Sequence, residues 1–199
     1  MDCSEFTPIL RKAIIAAVKQ YCDENPTETP YGLAIIPGQL CNYLMFAIAT
    51  EERLLETAGS YESSGYKYNG TIKGKTNLEI LTAWLRWANP DDGWKFGEFP
   101  AESEIADNLN AVVEEEEFAD DPDEFVAYCN EVLATLWDDL EWKSLQDKGE
   151  IVVGVTWGED PNDYVWSAEE CNPKHLVDKL QEEFNQCEKL SDDIARADD

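Results

Sequence analysis

The sequence predicts an α+β fold in which a small, mainly antiparallel sheet of three to four strands carries about five helices. Three observations predict it. Short apolar runs at 31–36, 43–48 and 150–157 have strand length. Longer stretches repeat apolar residues every three or four positions, as a helix with one buried face requires. The 199 residues are 43% hydrophobic and include seven Trp, eight Tyr and seven Phe, enough to bury a sizeable core. The expected organisation is a single α+β domain over 1–190 and an acidic, frayed tail over 191–199.

The elements follow in chain order. Phe6, Leu10, Ile14, Ala17, Val18 and Tyr21 mark an amphipathic helix over 5–24, with Thr7-Pro8 as its cap and Pro26 beyond its end. Tyr31–Ile36 and Tyr43–Ile48 flank Pro37-Gly38-Gln39 and read as two buried strands joined by a hairpin. Thr50 caps the next helix, Glu51 and Glu52 occupy its first turn where carboxylates meet the positive end of the helix dipole, and Gly59 is its stop. Residues 59–76 read as a polar loop. Leu78–Trp87 fits helix or strand, and strand is favoured towards its end. Pro90-Asp91-Asp92-Gly93 is a turn by residue chemistry, with Trp94 and Phe96 after it.

Ile105, Leu109, Val112 and Val113 mark a helix that ends in the run Glu114, Glu115, Glu116 and Glu117. Asp121-Pro122-Asp123-Glu124 combines a cap, a first-turn proline and an acidic first turn. The apolar residues after it, from Phe125 to Leu140, keep helical spacing towards Gly149. Glu150–Trp157 is a strand by its branched residues, and Asn172-Pro173 opens a last helix bearing Leu176, Val177, Leu180, Phe184 and Cys187.

Charge narrows the function more than any motif does. The net charge is −28, and it is uneven: residues 1–100 hold 13 acids and 9 bases, whereas residues 101–199 hold 30 acids and 6 bases, a net of −24. Such a field repels nucleic acid and anionic lipid and draws in basic proteins. Lys outnumbers Arg by 11 to 4, which argues against a halophilic origin of the acidity. No stretch approaches the ~20 apolar residues of a membrane span, and the amino terminus lacks the basic flank and apolar run of a secretory signal, so a cytoplasmic location is expected. The six cysteines are scattered through the chain and read as reduced, core-facing thiols.

Motifs for catalysis are weak. His175, the one histidine, falls in the first turn of the last helix, and no nucleophile stands in a recognisable setting such as G-x-S-x-G. Gly74-Lys75-Thr76 imitates the end of a phosphate-binding loop, but the required upstream Gly is replaced by Asn69. Asp160, Asn162 and Asp163 lack the Gly and final Glu of a calcium loop, and no C-x-x-C pair suggests zinc. Neither metal nor cofactor is expected.

Several short motifs together resemble a known bacterial family. They are Tyr31-Gly-Leu-Ala, Ala49-Thr50-Glu51-Glu52, Leu85-Arg86-Trp87 with Trp94 after it, and Gly158-Glu-Asp160 followed by Ser167 and Asn172-Pro173. Over roughly residues 5–185 the chain is similar to domain of unknown function 4303, with a longer link, Ala88–Gly93, between Arg86-Trp87 and Trp94. The resemblance carries no catalytic residue. Small acidic bacterial α+β proteins of this kind are often immunity proteins, which neutralise toxins by blocking them, so by analogy it implies a binding role.

The residues therefore point to an acidic interaction protein whose partner is basic, for example a cognate toxin. The candidate partner-binding residues are Glu114, Glu115, Glu116, Glu117, Asp120, Asp121, Asp123, Asp138, Asp139, Asp160 and Asp163, with exposed aromatics as anchors. A second reading is an enzyme whose pocket is built by Glu51, Glu52, Arg86, Trp87 and Trp94; a third is a regulator that mimics DNA.

Overall fold

A computed structural model describes residues 2–38, 41, 43–88, 93–100, 104–115, 118, 121–157 and 160–196. It has the α+β class expected, with eight α-helices among the described residues in place of about five. Four strands form the main sheet: β1 (Pro30–Pro37), β2 (Leu44–Thr50), β4 (Lys95–Glu98) and β5 (Val152–Val155), in the order β4-β2-β1-β5. β1 pairs antiparallel with β2, and β2 with β4, but β1 and β5 run parallel, so the sheet is mixed. The Thr156 N–H extends the parallel pair by donating to Ile35 O at 3.0 Å.

The sheet is covered on both faces. Leu33, Ile35, Phe46, Ile48, Val153 and Val155 pack against α1 (Cys3–Glu24), α4 (Ile105–Glu115), α5 (Pro122–Ala134) and α6 (Leu140–Gln146). Ala34, Ile36, Ala47, Ala49 and Val152 face α2 (Glu51–Ser63), α3 (Asn77–Leu85), α7 (Pro161–Cys171) and α8 (Lys174–Ser191). That is why β1 reads as an unbroken apolar run and is buried at all eight positions. Tyr31 joins the same face as Ala34 and Ile36 because the register slips between Pro30 and Gly32, which breaks the alternation there.

Several expected boundaries move, each for a local reason. The first helix begins at Cys3 rather than at a Thr7 cap, because the Asp2 carboxylate accepts the Glu5 N–H at 3.1 Å and Pro8 is accommodated inside the helix. The second passes Gly59 and ends before Gly65, whose φ of +93° is the left-handed conformation that stops a helix. The supposed loop after it contains β3 (Tyr66–Tyr68). Residues 77–85 are helix, not strand: Thr76 accepts the Glu79 N–H while Glu79 Oε2 accepts the Thr76 N–H at 2.7 Å, a reciprocal cap that fixes the first turn. This cap also accounts for Thr76 in the imitation phosphate loop.

The helix expected to run on from Pro122 breaks into α5, a 3₁₀ turn over Thr135–Asp138, and α6, which Asp139 caps by accepting the Glu141 N–H at 2.8 Å. Part of the expected tail, Ser191 and residues 194–196, lies within regular elements. Helix α8 reaches Ser191, and β6 (Ile194–Arg196) pairs antiparallel with β3, closing a second small sheet. Helix α7 has no counterpart in the sequence reading. No helix among the described residues is long and apolar enough to cross a membrane. Of the six cysteines, five are buried and Cys3 is half-buried.

Candidate functional site: an acidic cleft between two helices

Helices α5 and α7 open with the same local chemistry. Asp121 precedes Pro122 and accepts the Glu124 N–H at 3.4 Å; Asp160 precedes Pro161 and accepts the Asn162 N–H at 2.9 Å. In each case an Asp cap and a proline in the first helical position, where no N–H is needed, fix the start, and an acid follows at Asp123 or Asp163. The two helices cover opposite faces of the sheet and meet beside β5, the edge strand, where the Val155 N–H reaches α7. Gly154 allows the close approach: a Cβ there would stand 2.9 Å from the Tyr164 ring and 3.0 Å from Tyr164 O.

Between them lies a cavity of about 440 Å³. Its lining recurs at i, i+3, i+4 and i+7 on both helices: Asp123, Val126, Ala127 and Asn130 on α5, and Asp163, Trp166, Ser167 and Glu170 on α7. Val155, Thr156 and Trp157, at the end of β5, close the floor. Asp123 interacts with Asp163 at one end, while Asn130 bonds Ser167 and Glu170 at the other, so the helices run in the same sense.

Two kinds of polar group line this cleft. The inner set is saturated: Ser167 Oγ accepts the Val155 N–H at 2.7 Å and donates to Asn130 Oδ1 at 2.5 Å, and Asn130 Nδ2 donates to Glu170 Oε2 at 2.8 Å. Ser167 and Asn130 are buried, so this chain of bonds ties strand, α7 and α5 together and fixes the Glu170 carboxylate at the rim. The outer set is open. Among the described residues, no hydrogen bond or ion pair reaches the Asp123 or Asp163 carboxylate. Partial burial, followed by the charges of Asp160 and Asp123, raises the Asp163 pKa above its ordinary value. Hydrogen bonds from the Asn162 backbone and side chain hold Asp160 below its own.

Beside these acids stands Trp166, 61% exposed, the most exposed tryptophan among the described residues. A large apolar side chain in water at the mouth of a cavity is poorly used unless something covers it. The arrangement is suited to holding a cation: carboxylates supply charge, and an indole face supplies the quadrupole attraction.

The candidate residues from the sequence divide accordingly. Asp123 and Asp163 are brought together in the cleft, with Asp121 and Asp160 capping the helices at its open end. Asp138 and Asp139 lie on the 3₁₀ turn and at the start of α6, outside the cavity lining. Glu114 is exposed near the end of α4; Glu115 is placed there by its backbone; and Glu116, Glu117 and Asp120 lie outside the described residues. Trp166 and Glu170 escaped the sequence reading because α7 itself was missed, and Asn130, on the expected helix α5, because its partners Ser167 and Glu170 lie on α7. The repeat of Asp121-Pro122-x-x at Asp160-Pro161-x-x was the available signal.

The second candidate group is built differently. Arg86 binds Glu51 through both terminal nitrogens, at 2.9 and 2.5 Å, and its guanidinium lies 4.7 Å from the centre of the Tyr31 ring. Burial works against the Arg86 charge, but the bonds to Glu51 and the charges of Glu183 and Glu51 outweigh it and raise its pKa. Glu52 is taken by Thr29, whose N–H donates to it at 2.7 Å. Trp87 and Trp94 are buried and pack edge-on against Tyr31 and each other. A Cβ at Gly32 would reach within 2.9 Å of Trp94 and 3.3 Å of Trp87, so side chains fill this region. His175 is exposed. Among the described residues no three His, Cys, Asp or Glu side chains gather as a metal-binding group.

The model of one family, described as a domain of unknown function, DUF4303, matches residues 10–190. The chain belongs to that family. The match spans every element that builds the cleft, from β1 through α5, β5 and α7. No curated protein and no solved structure matches the chain.

Proposed function

We propose that this member of DUF4303 is an acidic interaction protein of the cytoplasm that blocks a basic partner, and that the partner is a toxin which it neutralises. The observation that carries the reading is the cleft between α5 and α7. It sets two unpaired carboxylates, Asp123 and Asp163, beside the exposed Trp166, in the half of the chain that holds a net charge of −24. Charge of this sign speeds encounter with a cationic surface, and an aromatic anchor slows departure. Basic nucleases expose cationic clefts for phosphate, and an acidic face can occupy such a cleft in its place.

The test is capture at low salt from native cells, followed by co-expression. A stoichiometric basic partner that dissociates as salt rises, and whose inhibition of growth this chain relieves, supports the reading. A partner that binds independently of salt, or growth inhibition that persists on co-expression, overturns it.

A further inference from the structure

We infer that the cleft between α5 and α7 is a receptor for the guanidinium group of a single arginine side chain. The inference rests on the reading of the chain as the acidic member of a complex, and it names the chemical group that the site takes.

The shape argues for one inserted side chain and not only for a broad electrostatic face. The cavity is concave, about 440 Å³, with an apolar wall of Val126, Ala127 and Val155 that suits the methylene stem. Among the described residues its charge is all of one sign: Asp123, Asp163 and Glu170 line it, and no Lys or Arg does. The Asn130 amide holds one oxygen of Glu170 and leaves the other oxygen of that carboxylate for an incoming donor. The pre-organised rim and the unpaired Asp pair offer acceptors in several directions.

Trp166 selects the kind of cation. An ammonium is a compact, strongly hydrated charge and needs only the carboxylates. A guanidinium is planar and weakly hydrated; it stacks on an indole face while its five N–H donors reach carboxylates in the ring plane. The indole is 61% exposed, so its face is available for stacking. Trp157, half-buried at the end of β5, adds a second aromatic surface to the lining.

The probe is N-acetyl-arginine amide, titrated at low ionic strength into the full chain, with the Trp166 indole N–H resonance as the readout and Trp166→Phe used to assign it. Its lysine counterpart and its neutral counterpart N-acetyl-citrulline amide are titrated in parallel. The expected result is a saturable shift with the arginine derivative, about tenfold weaker binding of the lysine derivative, and a comparable loss in Asp123→Asn/Asp163→Asn. Equal responses to arginine and citrulline overturn the proposal, as does unchanged affinity in the double variant with its thermal melt intact. The two readings separate cleanly. Guanidinium binding without any toxin partner leaves the receptor standing and sinks the neutralising role. A toxin complex indifferent to Asp123→Asn/Asp163→Asn does the reverse.

Discussion

Ser167 Oγ donates to Asn130 Oδ1 at 2.5 Å, joining α7 to α5 through two side chains that are both buried. The same hydroxyl accepts the Val155 N–H, so Ser167→Ala strands a strand donor and the Asn130 carbonyl at once. The expected cost is about 1–3 kcal/mol, the usual penalty for orphaned buried polar groups. Denaturant unfolding measures it, and Asn130→Ala is expected to fall in the same range.

Asp163→Asn has the opposite sign. The folded-state pKa of Asp163 is raised above its ordinary 3.8 by partial burial and by the charges of Asp160 and Asp123. Its neutral form is therefore the one that the fold favours; that stability is present below pH 3.8 and lost as pH rises through the folded pKa. At neutral pH the asparagine variant is expected to be more stable, by a few tenths of a kcal/mol after solvent screening. A thermal melt of the free protein checks this gain, and the same variant is expected to bind its basic partner less tightly. Stability gained where binding is lost marks a group kept for binding.

Trp166→Ala separates surface from scaffold. Because the indole is 61% exposed, its removal is expected to change unfolding free energy by less than about 0.5 kcal/mol. As an anchor at the centre of an interface it is expected to cost about tenfold or more in partner affinity. Calorimetry of the purified complex and a melt of the free chain read the two quantities.

Glu28 gives a pH test away from the cleft. Burial would raise its pKa, but hydrogen bonds from Tyr21 at 2.5 Å, Thr50 at 3.0 Å and Arg53 at 3.2 Å, with the Arg53 charge, outweigh burial and lower it below 4.5. Its stabilisation is thus present above pH 4.5 and lost as pH falls through the folded pKa. Glu28→Gln is expected to cost about 1–2 kcal/mol at pH 7, with the difference from wild type shrinking below pH 4.5. Unfolding curves across pH 3–7 reveal the trend.

Much of the scaffold was legible because local rules and tertiary structure agree there. β1 and β2 lie where apolar runs place them, Thr50 caps α2, and Pro122 opens α5, since each depends on a few neighbouring residues. The tryptophans at 87 and 94 were legible as aromatics suited to a core, and both are buried where Gly32 lets the strand approach them closely. Helix α7 was hidden for another reason. Its buried positions, Tyr164, Val165, Ser167, Ala168 and Cys171, include small and polar residues, so hydrophobic period alone is faint there. The Asp160-Pro161 start was in view, but it was weighed as a metal loop. The cleft depends on β5 pairing parallel to β1, which brings residues 123–130 beside 163–170, and no local signal encodes that pairing.

Hydrogen exchange of the chain, alone and in complex with the basic partner captured from its native cells, tests the placement of the binding site most directly. Protection is expected in the first two turns of α5, in α7, and at residues 155–157 around the cleft. Protection confined to α1, or to the face formed by α2 and α3, with exchange at the cleft unchanged, would contradict it.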